Sequence, residues 1–172
     1  MREEYEAFFQ SFKQFRKLNM SVLTPDINHT DYGILLTIEC MATGTNCMKE
    51  GLDHAEAKKE RNLVKVSQVT QHAHMNPTAV SRSLKTLEDR NLIIRNVNKK
   101  DRRITYVDLT EEGFSVLKDS EARLNDFADA VFQEMGDENL MKLTSYLNQM
   151  YEVADKELEN RKAELGKEKQ YE

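Results

Sequence analysis

The chain has 172 residues, 39% of them hydrophobic and 32% charged, with two prolines and two cysteines. That length can bury a core without disulfide or metal support, and two cysteines are too few for a disulfide framework. No apolar run approaches the roughly 20 residues that cross a bilayer, and Arg2, Glu3 and Glu4 precede any apolar stretch; no membrane partner or signal peptide is expected, and the chain reads as cytoplasmic.

Residues 3–19 read as an amphipathic helix, with Tyr5, Phe8, Phe9, Phe12 and Phe15 on one face at three-and-four spacing. Such an aromatic load must pack against the body or a second subunit. A second helix is expected from Thr30 to Ala42, with Ile34, Leu35, Ile38 and Met41 inward and Gly44 at its end. Residues 45–62 are polar and poorly periodic. Leu63, Val64 and Val66 make a short strand-like run.

Ser67 is expected to cap a short helix reaching about His74, and Asn76-Pro77 restarts a second helix at once. Two helices joined by so short a turn form a helix-turn-helix. On the second, Val80, Leu84 and Leu87 share one face, while Thr78, Arg82, Lys85 and Asp89 lie opposite with Ser81 at the edge. The polar face suits base edges and phosphates in a major groove. Strands follow at Ile93–Val97 and Ile104–Leu109. The hairpin tip between them, Asn98-Lys99-Lys100-Asp101-Arg102-Arg103, suits phosphates or a minor groove.

Thr110 caps the next helix, whose buried side is marked by Phe114, Leu117, Leu124, Phe127 and Val131. Gly136 breaks it and Asp137 caps the last helix. There Leu140, Leu143, Leu147, Met150, Ala154 and Leu158 repeat at near-heptad spacing. The formal net charge is −5, which by itself argues against nucleic acid, but residues 76–105 hold eight basic side chains against three acidic ones. A basic segment on an acidic body fits a DNA reader on a separate scaffold.

Asp101, Arg103 and Leu109-Thr110, continued by Glu111-Glu112-Gly113, resemble the Asp-x-Arg and Leu-Thr signature of the MarR family of transcription regulators. Leu87-Glu88 and Asn91-Leu92-Ile93-Ile94-Arg95 are similar to that family's stretch between recognition helix and wing. The resemblance implies a mainly α fold with a small β wing: a winged helix-turn-helix plus a helical dimerisation domain. The division implied is 1–29 and 111–165 for dimerisation and 30–110 for DNA binding, with a frayed tail at 166–172. It further implies a homodimer, a palindromic DNA operator read by recognition helix 76–90 and wing 93–109, and release of repression by a small-molecule effector. Thr78, Ser81, Arg82 and Lys85 would face the major groove, with Lys99, Lys100 and Arg102 on the wing. Arg103 would enter the minor groove, oriented by Asp101. Phe8, Phe9, Phe12, Leu143, Leu147 and Met150 would dimerise. Residues 45–62 are a longer connection than the family's usual one.

Cys47, in a charged segment, is a candidate redox thiol, set against the plainer reading of a small apolar Cys40 and an ordinary loop thiol. Cys47, His54, His72 and His74 lack zinc-ligand spacing, so no metal is expected. No phosphate-binding glycine loop or nucleophile signature occurs, so neither an enzyme nor a cofactor is expected. Tyr32, Tyr106 and the methionines read as core or effector-pocket lining. The rival to a DNA reader is a winged-helix protein-interaction or ligand-binding module without DNA function.

Overall fold

The computed structural model describes residues 3–44, 61–73 and 75–168, with side chains to 164. Helix α1 spans Glu3–Phe15 and α2 His29–Thr43; strand β1 is Val64–Lys65; α3 is Val66–His72 and α4 Pro77–Asp89; β2 is Ile93–Val97 and β3 Thr105–Leu109; α5 is Glu111–Met135 and α6 Asp137–Glu168. The chain divides into two compact units at Leu124/Asn125, within α5.

In the first unit, α2 is the centre of the core. Asn28 caps it, its Oδ1 accepting the Asp31 N–H at 2.9 Å while its Nδ2 donates to Asp31 Oδ2 at 2.8 Å. The helix ends where Gly44 takes φ 73°, a left-handed conformation that suits a residue without Cβ. Between these ends Ile34, Leu35, Ile38 and Ala42 are buried against Val69, Val80, Leu84, Leu87, Leu92, Ile93, Val107 and Leu117. Burial of each large aliphatic side chain favours folding by roughly 1.5–3 kcal/mol.

The strands form an antiparallel sheet in the order β1-β3-β2. Val64 and Arg95 both stand opposite Val107, and Ile93 stands opposite Leu109. Gly113, in the first turn of α5, faces the backbone of Leu92, and a Cβ there would overlap the Leu92 carbonyl. Gly113→Ala should therefore lower stability by about 1–3 kcal/mol; an unchanged melting temperature would show that the backbone yields at no cost.

Several boundaries differ from the sequence expectations. Helix α1 ends at Phe15, and a 3-10 turn at Met20–Val22 follows, where Asn19 Oδ1 accepts the Ser21 N–H. Val66 is helical rather than extended, and Ser67 is not the cap of α3. Gln68 instead reaches back so that its Oε1 accepts the Lys65 N–H at 3.0 Å, which starts the helix earlier. The second wing strand begins at Thr105, because the Ile104 N–H and C=O are used in the hairpin tip. On α5, Gly113, Leu117 and Ser120 are buried, whereas Phe127 and Val131 are exposed.

The second unit holds the end of α5, Gly136 at φ 75°, and α6. Asp137 is the first helical residue of α6 and not its cap; the Gly136 carbonyl already accepts the Leu140 N–H. The helix runs on to Glu168, beyond the expected end at 165. No helix among the described residues is long and apolar enough to cross a membrane.

Candidate nucleic-acid interface

Helix α4 carries the polar face read from the sequence. Asn76 Oδ1 accepts the Thr78 N–H at 2.9 Å, and Pro77 occupies the first turn, where no helical N–H is needed. Val80, Ser83, Leu84 and Leu87 are buried, and Thr78, Ser81, Arg82 and Lys85 are exposed. The docking of α4 includes a contact invisible in the apolar pattern: the buried Ser83 hydroxyl donates to the buried Asp31 carboxylate on α2. One carboxylate thus serves the start of α2 and the inner face of α4.

The end of α4 aims the hairpin. The Leu92 N–H bonds the Leu87 carbonyl at 2.8 Å and the Asn91 N–H bonds the Glu88 carbonyl at 2.9 Å. This is the Schellman pattern, with Asn91 in the left-handed region at φ 56°. Arg95 on β2 then donates to Glu88 Oε2, through Nε at 2.9 Å and also through NH2. The guanidinium holds the Glu88 carboxyl below its ordinary range. Beside this end of α4, Arg90 donates to the Asp26 carbonyl at 2.6 Å and Arg123 of α5 to the Asp26 carboxylate at 3.4 Å.

At the hairpin tip, Asn98 Oδ1 accepts the Lys100 N–H at 2.8 Å, closing an Asx turn. Asp101 Oδ1 accepts both the backbone N–H of Arg103 at 3.0 Å and its Nε at 3.1 Å, and Oδ2 accepts NH2 at 3.4 Å. These bonds hold the Asp101 carboxyl below its usual range, so it is ionised at neutral pH. The Arg103 side chain nonetheless remains 91% exposed, so it is oriented without being covered. Lys99, Lys100 and Arg102 are exposed beside it.

Two residues that the sequence reading did not select join this surface. Lys65 and Ser67 line a cleft of about 280 Å³ together with Val66, Arg103, Ile104 and Thr105. They arrive there because β1 pairs with β3, setting Lys65 opposite Tyr106. A two-residue strand paired some 40 residues away leaves no periodic signal in the sequence.

Other expected residues fall elsewhere. Phe8, Phe9 and Phe12 on α1 are exposed, as are Leu143, Leu147 and Met150 on α6. The Phe8 and Phe12 rings stack with centroids 6.3 Å apart. Tyr32 is half-buried on the core, and burial together with Glu121 pushes its phenol upward. Cys40 is half-buried and disulfide-bonded, which corrects the reading of it as a small apolar thiol. Cys47, His54 and His74 lie outside the described residues, so the redox and metal readings that use them do too. Among the described residues no group of three or more His, Cys, Asp or Glu side chains could hold a metal.

A helix-turn-helix whose second helix is followed at once by a basic β-hairpin defines a winged helix-turn-helix protein. The model of the MarR family matches residues 59–105. The HTH-type transcriptional repressor MdtR of Bacillus subtilis is 40% identical over 55 residues, which cover 32% of this chain and 36% of that protein. The winged helix of this chain is that of the MarR family. Solved structures of MepR from Staphylococcus aureus share the fold. A mutant form matches with a TM-score of 0.62 at 15% identity, covering 90% of this chain and 99% of that one. A mutant bound to an oligodeoxyribonucleotide matches with a TM-score of 0.51 at 16% identity, covering 90% and 99%. A form bound to ethidium bromide matches with a TM-score of 0.52 at 15% identity, covering 90% and 97%.

Proposed function

We infer that the protein is a sequence-specific, dimeric DNA-binding transcription regulator, a repressor that binds a palindromic operator and is released by a small-molecule effector. The observation that carries this reading is the pairing of an exposed Thr78, Ser81, Arg82 and Lys85 face on α4 with an exposed, carboxylate-oriented Arg103 on the adjoining hairpin. A helix of that character fits the major groove, and an extended guanidinium fits the narrow, electronegative minor groove. Lys65, Lys99, Lys100 and Arg102 add cations suited to backbone phosphates, which position the reader without specifying sequence.

The dimer is supported by two uncovered apolar faces, the aromatic one of α1 and the Leu143, Leu147 and Met150 stripe of α6. Exposed apolar area of this extent marks an interaction surface. A two-fold dimer presents two readers to half-sites one helical turn apart, which requires a palindromic site. In this reading residues 1–29 and 111–165 serve dimerisation and 30–110 bind DNA. Effector control and repression rest on the relatives: MdtR is a repressor and MepR is known with a bound small molecule as well as with DNA.

Fluorescence anisotropy on DNA from the protein's own upstream region, against scrambled DNA at two salt concentrations, tests the reading. Preference for the upstream fragment is expected, with affinity falling more than about tenfold between roughly 50 and 200 mM salt as condensed counterions are released. Equal weak binding to both fragments, or none, would instead favour a winged-helix module that binds protein or ligand.

A further inference from the structure

Arg61 stands where the chain re-enters the core after residues 45–60, and it joins two elements that the apolar core leaves to separate layers. Its NH1 and NH2 donate to Glu39 Oε1 and Oε2 at 3.0 and 2.8 Å, a bidentate grip on a carboxylate only 2% exposed near the end of α2. The same NH2 donates to Asp108 Oδ1 at 2.7 Å. Asp108 lies on β3, opposite Ile94 of β2. It is therefore part of the hairpin stem, at the end away from the basic tip. The adjacent Asn62 N–H bonds the Ala42 carbonyl at 2.8 Å, so the backbone that presents Arg61 is itself tied to α2. Both carboxylates reinforce the charge of Arg61 and raise its pKa further, so the bridge stays cationic throughout the ordinary pH range.

We propose that Arg61, through Asp108, is the positioning residue that sets the angle of the wing against the body of the winged helix and so aims Arg103 at DNA. Five residues of strand separate Asp108 from Arg103, about 17 Å at some 3.3 Å per residue. A stem rotation of about 10° would move the tip by about 3 Å, well beyond the roughly 0.5 Å within which a binding constellation must be held. Asp108 contacts no tip residue in this arrangement; it acts through the hairpin. The planar, five-donor guanidinium is the side chain suited to bridge two carboxylates on different elements.

This inference rests on the DNA-binding reading for its effect on affinity, but it has a readout that does not. Asp108→Asn leaves the buried Glu39–Arg61 pair intact and removes only the charge that links Arg61 to the wing. Amide hydrogen exchange of the full chain should then show faster exchange at residues 96–104 with α4 unchanged. Operator affinity should fall about three- to thirtyfold, and the loss should disappear when Asp108→Asn is made in an Arg103→Ala background, because both changes disable one aimed contact. Simple charge bookkeeping predicts the opposite sign, since removing an acidic group strengthens binding to a polyanion. Arg61→Lys, which keeps a cation for Glu39 but lacks the fork, should behave like Asp108→Asn. Unchanged wing exchange in both variants would overturn the proposal, whether or not the protein binds DNA. So would tighter operator binding by Asp108→Asn, or a loss that simply adds to that of Arg103→Ala. Absence of operator binding in the wild type would instead defeat the functional reading, while wing exchange would still decide the positioning role.

Discussion

Arg103→Ala is expected to weaken operator binding by about a hundredfold or more while leaving the dimer intact. The side chain is 91% exposed, so its removal opens no cavity and disturbs no core contact. What it removes is a guanidinium that Asp101 holds in one orientation through its backbone N–H, Nε and NH2. A charged hydrogen-bonding contact is worth about 1.5–3 kcal/mol, or roughly 10- to 150-fold, and a two-fold dimer loses it at both half-sites. Asp101→Ala provides a second check with the opposite charge change. It makes the wing more positive, yet it should also weaken operator binding, because Arg103 then loses its orientation. Anisotropy titrations together with sedimentation of each variant give both quantities. Wild-type affinity in Arg103→Ala would remove the wing from the mechanism.

The second large effect is on stability. Arg61→Met should destabilise the first unit by about 3–5 kcal/mol, because it leaves the Glu39 carboxylate buried without its counter-charge. In thermal denaturation followed by circular dichroism this corresponds to a fall on the order of 10 °C. The pair as a whole contributes much less than that figure, since desolvation offsets most of its Coulomb attraction. The double variant Glu39→Leu/Arg61→Met should therefore recover most of the lost stability. If the single variant melts like the wild type, water already reaches Glu39. If the double variant is no better than the single, the loss lies in packing and not in charge.

The two experiments separate roles that one residue network combines. Glu39–Arg61 belongs to the folding of the unit. Asp101–Arg103 lies on the surface and contributes little to stability, as exposed ion pairs generally do. Asp108 lies between them, partly exposed and bonded to Arg61. For that reason its substitution can change the aim of the wing without unfolding the domain.

The sequence by itself determined the elements whose cause is local. The recognition helix is set by the Asn76-Pro77 start and by the three-and-four spacing of Val80, Leu84 and Leu87. The first wing strand falls at Ile93–Val97 as its residue types require, and Asp101 orients Arg103 from two positions away. Such features depend on neighbours within a turn or two, where spacing and chemistry are both readable. Even here Ser67 was displaced as a cap, since the Gln68 side chain competes for the same helix start. Only the tertiary structure decided that Ser83 meets Asp31 across 52 positions and that Arg61 meets Asp108 across 47. It also brought Lys65 and Ser67 beside Arg103. Each of these polar groups, taken in sequence, looks like an ordinary helix, strand or turn residue. What selects their partners is the packing of apolar faces around α2, which brings distant segments together and obliges the polar groups buried between them to find one another.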